Sequence, residues 1–214
     1  MLRLAASGRT DRAVFTAPRR AYTRAENNYN ALEAAQKERQ RMKTISILNL
    51  KGGVAKTFTA ANMAYELYRR GYKVLLLDND KQGNLSKAYG RYDAESVAPI
   101  TKLLSGEWKN PEEIIQHTDY EGIDIITANM SLFGATWNLT KEENENQTER
   151  YSACKLWHYD YCIIDNPPDI GLNVINALAI TDEVIVPVKL DNYALEGLDI
   201  VAEQIEDVRG FNPV

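Results

Sequence analysis

Residues 48–62 read LNLKGGVAKTFTAAN, and the residue types and spacing there are those of a phosphate cradle. Gly52 and Gly53 let successive backbone N–H groups turn inward on an anion, and a helix opening directly after them adds the partial positive charge of its N-terminus. Lys56 is placed to reach the β and γ phosphates of a nucleotide, and the Thr57 hydroxyl suits Mg²⁺. Val54, Ala55 and Phe58 complete the loop and the first helical residues. A glycine pair alone would indicate a tight turn. Lysine and a hydroxyl immediately after it, between a strand and a helix, point to phosphate binding.

Two further apolar runs end in carboxylates. LLLDNDKQGNLS, residues 75–86, carries Asp78 and Asp80, and YDYCIIDNPPDIG, residues 159–171, carries Asp165. Carboxylates at the C-terminal ends of strands beside a phosphate loop can position an attacking water or a water on a metal ion. The plainer alternative for the first is an ordinary acidic strand-ending turn with Gly83.

The elements needed to bring these segments together are legible as an alternation. Strands are predicted over Ile45–Leu50, Lys73–Leu77, Ile123–Thr127, Tyr161–Ile164 and Glu183–Val188. Helices are predicted over Thr57–Arg70, closed by Gly71, and over Ile100–Leu104, Pro111–His117, Lys141–Trp157, Leu172–Ile180 and Ala194–Arg209. Continuous Val/Ile/Leu strands alternating with helices call for a mostly parallel sheet covered on both faces.

Composition sets the outer bounds. The 214 residues are 44% hydrophobic and 26% charged, which excludes a disordered or collagen-like chain. No apolar run approaches the ~20 residues of a membrane span. Cys154 and Cys162 are too few for a disulfide framework, so a cytoplasmic protein is expected. Charge is uneven: residues 1–43 hold ten Lys/Arg against four Asp/Glu, and the remainder 15 against 26. Residues 1–41 therefore read as a basic, partly helical N-terminal extension. It is an arm that grips nucleic acid, or a solvated, partly helical extension, or a stretch ahead of a natural translation start at Met42. The acidic run 141–149, KEENENQTE, reads as a solvated face.

Lys51 adds a second lysine at the front of the phosphate loop, and with it the segment resembles the deviant Walker A motif KGGxxKT of the ParA/MinD family of P-loop ATPases. Asp78, Asp80, Gln82, Gly83 and Asn84 resemble that family's DxDxQGN pattern, and residues 159–171 resemble its Walker B segment. VIVPVKLDNYALEGL, residues 184–198, resembles the stretch that in partition-type members follows the next strand. The resemblance runs from about Met42 to Val214 and implies a three-layer α/β P-loop NTPase fold, its mostly parallel central sheet flanked by helices. It implies ATP and Mg²⁺ as ligands. Lys51 would cross to the nucleotide of a second subunit in an ATP-sandwich homodimer, Asp80 would activate water with Asp78 in support, and Thr57 and Asp165 would serve the metal. The implied function is DNA partitioning of a plasmid, chromosome or mobile element on the nucleoid, with nonspecific DNA and a ParB-like centromere-binding activator as partners. Alternatives are a MinD-like positioning ATPase at a membrane surface, and a nucleotide-binding adaptor with little or no hydrolysis.

Three positions depart from the pattern: Ala55 for glycine, Phe58 for threonine and Lys81 for proline. At Ala55 a β-carbon costs on the order of 1 kcal/mol if the backbone there is left-handed. None of the three removes a required charge or oxygen, so weakened or retuned rather than lost nucleotide handling is expected. Family members also continue past the equivalent of Phe211–Pro213, so the ATPase domain at 42–214 is expected to lack its C-terminal part.

Overall fold

The computed structural model describes residues 42–139, 151–152, 154, 157–189 and 194–211. The expected extension at 1–41, the acidic run and most of the helix predicted over Lys141–Trp157 lie outside them. Among the described residues six strands form one sheet: β1 (Lys43–Ile47), β2 (Val74–Asp78), β3 (Gln116–His117), β4 (Ile123–Ile126), β5 (Tyr161–Asp165) and β6 (Glu183–Ile185). Their order is β3-β4-β2-β5-β1-β6, parallel throughout except for β3, which runs antiparallel to β4. The helices are α1 (Lys56–Arg69), α2 (Asn84–Ala88), α3 (Pro99–Ser105), α4 (Ser131–Leu139), α5 (Leu172–Ala179) and α6 (Ala194–Phe211). The three-layer α/β architecture expected from the sequence is the observed one.

Every residue of β2, VLLLD, is buried, as a strand covered on both faces requires. Leu75 and Leu77 face a cluster completed by Ile164 of β5, by Ile100 and Leu103 of α3 and by Ala177 of α5. Val74 and Leu76 face the opposite cluster, in which Ile47 and Ile163 meet Ala60 and Ala64 of α1. The small side chains at those two helical positions bring the α1 backbone close to the sheet. A third cluster joins Leu48 to Val174 and Leu178 of α5 and to Val201 and Val208 of α6.

Strand register assembles the site. Asp165 at the end of β5 pairs with Ile47 on one side and with Asp78 on the other. The C-terminal ends of β1, β5 and β2 are therefore level, and the loops that leave them open onto the same edge.

The helix expected over Pro111–His117 is not formed. Pro111–Glu113 makes a single 3₁₀ turn, and Gln116 and His117 pair with Ile125 and Asp124 as β3. Pairing on the open edge of β4 satisfies backbone groups of Gln116 and His117 that a helix there would have to satisfy within itself. The sequence reading also passed over α2 and α4, which are short and follow loop-like polar residues.

Candidate functional site

The segment after β1 folds back over the sheet edge before entering α1. Its first anchor is Asn49, whose side-chain NH₂ donates to the Pro187 carbonyl at 2.8 Å and whose Oδ1 accepts from the Lys51 N–H at 2.8 Å. Gly53 has a φ of +72°, which its missing β-carbon allows. Ala55 has a φ of +68° and is the non-glycine residue with positive φ among those described, so the left-handed conformation anticipated there is present, and with it the strain. It is the N-cap of α1 without a capping side chain. The amides of the first turn are thus left to another acceptor.

Lys56, the first residue of α1, is buried, and its ammonium donates to the Lys51 carbonyl at 3.2 Å. Burial lowers its pKa, while the charges of Asp165, Asp80 and Asp169 oppose that shift. Thr57 is half-buried beside it, and Phe58 is exposed on the surface of α1. Lys51 itself is exposed.

Asp165 is the most demanding residue of the site. It is 1% exposed, and neither carboxylate oxygen has a hydrogen-bond partner among the described residues. Burial pushes its pKa up to about 7, helped by Asp78 and Asp80, while the nearby Thr57 hydroxyl and the Lys56 ammonium favour the charged form. A buried carboxyl without partners costs several kcal/mol when ionised unless a cation or its water completes it. Thr57 and Asp165 together therefore fit a hydrated Mg²⁺: a hydroxyl for the ion and a carboxylate for its water.

Asp78 is placed differently from Asp80. It is fully buried, and its Oδ2 accepts from the Ser86 N–H at 2.8 Å and hydroxyl at 2.6 Å, its Oδ1 from the Asp80 N–H at 3.2 Å. Burial raises its pKa to about 6 against these bonds. The Ser86 hydroxyl in turn accepts from the Ala128 N–H at 2.9 Å. Asp78 therefore ties the loop after β2 to α2 and to the end of β4. Asp80 is half-buried on the cavity wall, with its Oδ1 accepting from the Gln82 N–H at 2.9 Å.

Beside these groups is an open cavity of about 510 Å³, lined by Gly52, Gly53 and Lys56 and by Asp80, Pro167 and Asp169 among others. Ala55, Thr57 and Phe58 also line it, while Val54 is buried beneath the loop. That volume is in the range of small-molecule sites. Lys51 and the carboxyls of Asp78 and Asp165 are not on its surface. The model of the AAA_31 family, described as an AAA domain, matches residues 42–213. The chain belongs to this family, within the ParA/Soj group of the ParA/MinD superfamily. It is 40% identical over 157 residues to the sporulation initiation inhibitor protein Soj of Bacillus subtilis, covering 73% of this chain and 62% of that protein. The chromosome partitioning protein ParA of Myxococcus xanthus is 36% identical over 171 residues, 79% of this chain and 60% of that one. The chain thus spans about three fifths of the length of these relatives. Among solved structures, the cobyrinic acid a,c-diamide synthase of Mycobacterium smegmatis, with a bound ATP analogue and magnesium, matches with a TM-score of 0.72. The two are 31% identical, and the match covers 80% of this chain and 70% of that one.

Behind the cavity lies a buried polar network that the sequence reading did not assign. Asn79 donates to the Asn166 side chain at 2.9 Å and accepts from the Tyr151 hydroxyl at 2.8 Å, and the Asn173 side chain donates to its carbonyl at 3.0 Å. Asn166 donates through its side chain to the Ile47 carbonyl at 3.2 Å. The network ties the ends of β1, β2 and β5 to α5. Its signal was available: Asn79 lies between the two carboxylates of one motif, and Asn166 directly follows Asp165 in the other.

Proposed function

We propose that this protein is a partition-type ATPase that binds Mg·ATP in the cavity above β1, β5 and β2. The observation that carries the reading is Asp165, a buried carboxylate whose charged form is favoured by the Thr57 hydroxyl and the Lys56 ammonium at the start of the helix that follows the glycine loop. Amides of the loop and of the first turn of α1 bind the phosphates, and Lys56 exchanges its bond to the Lys51 carbonyl for phosphate oxygens. When bound, Mg²⁺ neutralises phosphate charge and polarises the terminal group. Thr57 and Asp165 are the residues that would hold the ion and its water. Asp80, held in a turn by the Gln82 amide, orients the attacking water, and Asp78 keeps that loop in place through Ser86.

In this reading two copies close over two nucleotides, and the exposed Lys51 of each reaches the other's phosphates. Hydrolysis is slow until a ParB-like centromere-binding protein engages the dimer, which rides nonspecific DNA of the nucleoid in the cytoplasm. The relatedness to Soj and ParA supports this assignment over the membrane-surface and adaptor alternatives.

The test is Mg²⁺-dependent binding of a fluorescent ATP analogue to the full chain and to Lys56→Ala, with mass measured in the same samples. Binding that Lys56→Ala abolishes in a folded protein, accompanied by a doubling of mass in the unsubstituted one, is the expected result. A folded chain that binds no nucleotide refutes the reading, and binding without a change in mass refutes the sandwich dimer.

A further inference from the structure

The phosphate cavity contains a cation that the loop signature does not account for. Lys81 occupies the position of a proline in the family pattern, one residue after Asp80. It lines both the phosphate cavity and an adjoining pocket of about 300 Å³. In that pocket its ammonium lies 5.3 Å from the ring centroid of Phe133 on α4, with Trp137 one helical turn further on.

Charge on the cavity wall gives Lys81 its significance. The lining cations are Lys56 and Lys81, facing the carboxylates Asp80 and Asp169. Removal of Lys81 leaves Lys56 as the lining cation against Asp80 and Asp169. A lysine ammonium is a compact charge on a flexible stem, and an aromatic face at a half-exposed position is a weaker partner for it than a phosphate oxygen. A proline at the same place has no charge to offer.

Building on the nucleotide-binding reading above, the geometry points to Lys81 as a phosphate ligand supplied by the same subunit. It leaves Phe133 for the terminal phosphate of a bound nucleoside triphosphate and thereby distinguishes triphosphate from diphosphate. Its departure also changes the surroundings of Trp137, so α4 registers the third phosphate.

The experiment titrates the full chain with the β,γ-imido analogue of ATP and separately with ADP, both with Mg²⁺, by calorimetry and by tryptophan emission. Lys81→Ala weakens the triphosphate analogue about tenfold or more and ADP less than about twofold, the size expected for one hydrogen bond to a charged group. Lys81→Arg restores most of the preference. The emission change on triphosphate binding is lost in Trp137→Phe and in Lys81→Ala, and is absent with ADP. Equal weakening of both nucleotides, or none, in a Lys81→Ala protein with unchanged circular dichroism and melting overturns the inference while leaving nucleotide binding intact. A triphosphate that leaves Trp137 emission unchanged refutes the departure from Phe133. Failure of the unsubstituted chain to bind either nucleotide refutes the underlying reading, and this inference with it.

Discussion

Replacing Asp165 by Asn should stabilise the protein in the absence of Mg²⁺ and nucleotide, which is the opposite of what removal of a structural residue does. Burial pushes the pKa of the carboxyl up to about 7 in the folded protein from an ordinary 3.8. At about 1.4 kcal/mol for each tenfold change in proton affinity, ionising it costs the folded state about 4 kcal/mol. Water entering from the adjoining cavity screens part of this, so the gain expected for Asp165→Asn is about 2–4 kcal/mol above pH 8. The sign follows from proton linkage. Below about pH 4 both folded and unfolded states hold the proton and the site contributes little. Between about pH 4 and 7 the folded state retains a proton that the unfolded state releases, so stability falls as pH rises, and above 7 the loss is complete. Urea unfolding of both proteins at pH 4.5 and 8.5 without metal measures the difference. The advantage of the variant should shrink to about 1 kcal/mol at the lower pH. Addition of Mg²⁺ with a non-hydrolysable ATP analogue should reverse the order at pH 8.5, because the same carboxylate then gains its partner. A variant that is less stable at both pH values, or more stable by the same amount at both, refutes the argument that Asp165 is an uncompensated buried acid.

Ala55→Gly should raise stability by about 0.5–1 kcal/mol, since it removes the left-handed strain at the start of α1 and restores only part of that as backbone entropy; thermal or urea unfolding tests this. Gly83→Ala should cost about 2–4 kcal/mol, because Gly83 has a φ of +62° and an added β-carbon would lie 2.5 Å from the Tyr92 ring and 2.6 Å from the Ala128 carbonyl. Unfolding free energy measures that loss, and a tolerant Gly83→Ala would mean that the loop after β2 can shift away from α2.

Much of this protein was legible as sequence because its chemistry is concentrated in contiguous segments. The glycine loop, the carboxylates of 75–86 and the Asp165 segment each lie within a dozen or so residues, and fully buried strands such as VLLLD announce a parallel sheet by composition alone. The left-handed backbone at Ala55 was foreseeable for the same reason, as a local property of a loop whose pattern calls for glycine. Boundaries were less secure: β1 ends at Ile47 rather than Leu50, because the residues beyond it bend into the loop that Asn49 anchors.

Long-range contacts decided the rest. Gln116 and His117 became a strand because the edge of β4 was open to pair with them, a competition that no local propensity records. Asp78 and Asp80, equivalent as letters, separated into a buried tie and a cavity-wall carboxylate only when Ser86 and Ala128 came within hydrogen-bonding reach. Asp165 acquired its raised pKa from the strands that pair on either side and exclude water, and Lys81 its aromatic neighbour from a helix fifty residues downstream. The sequence determined which groups were available for phosphate chemistry. Burial and register, which depend on residues far apart in the chain, determined which of them are charged, which are held, and which face the cavity.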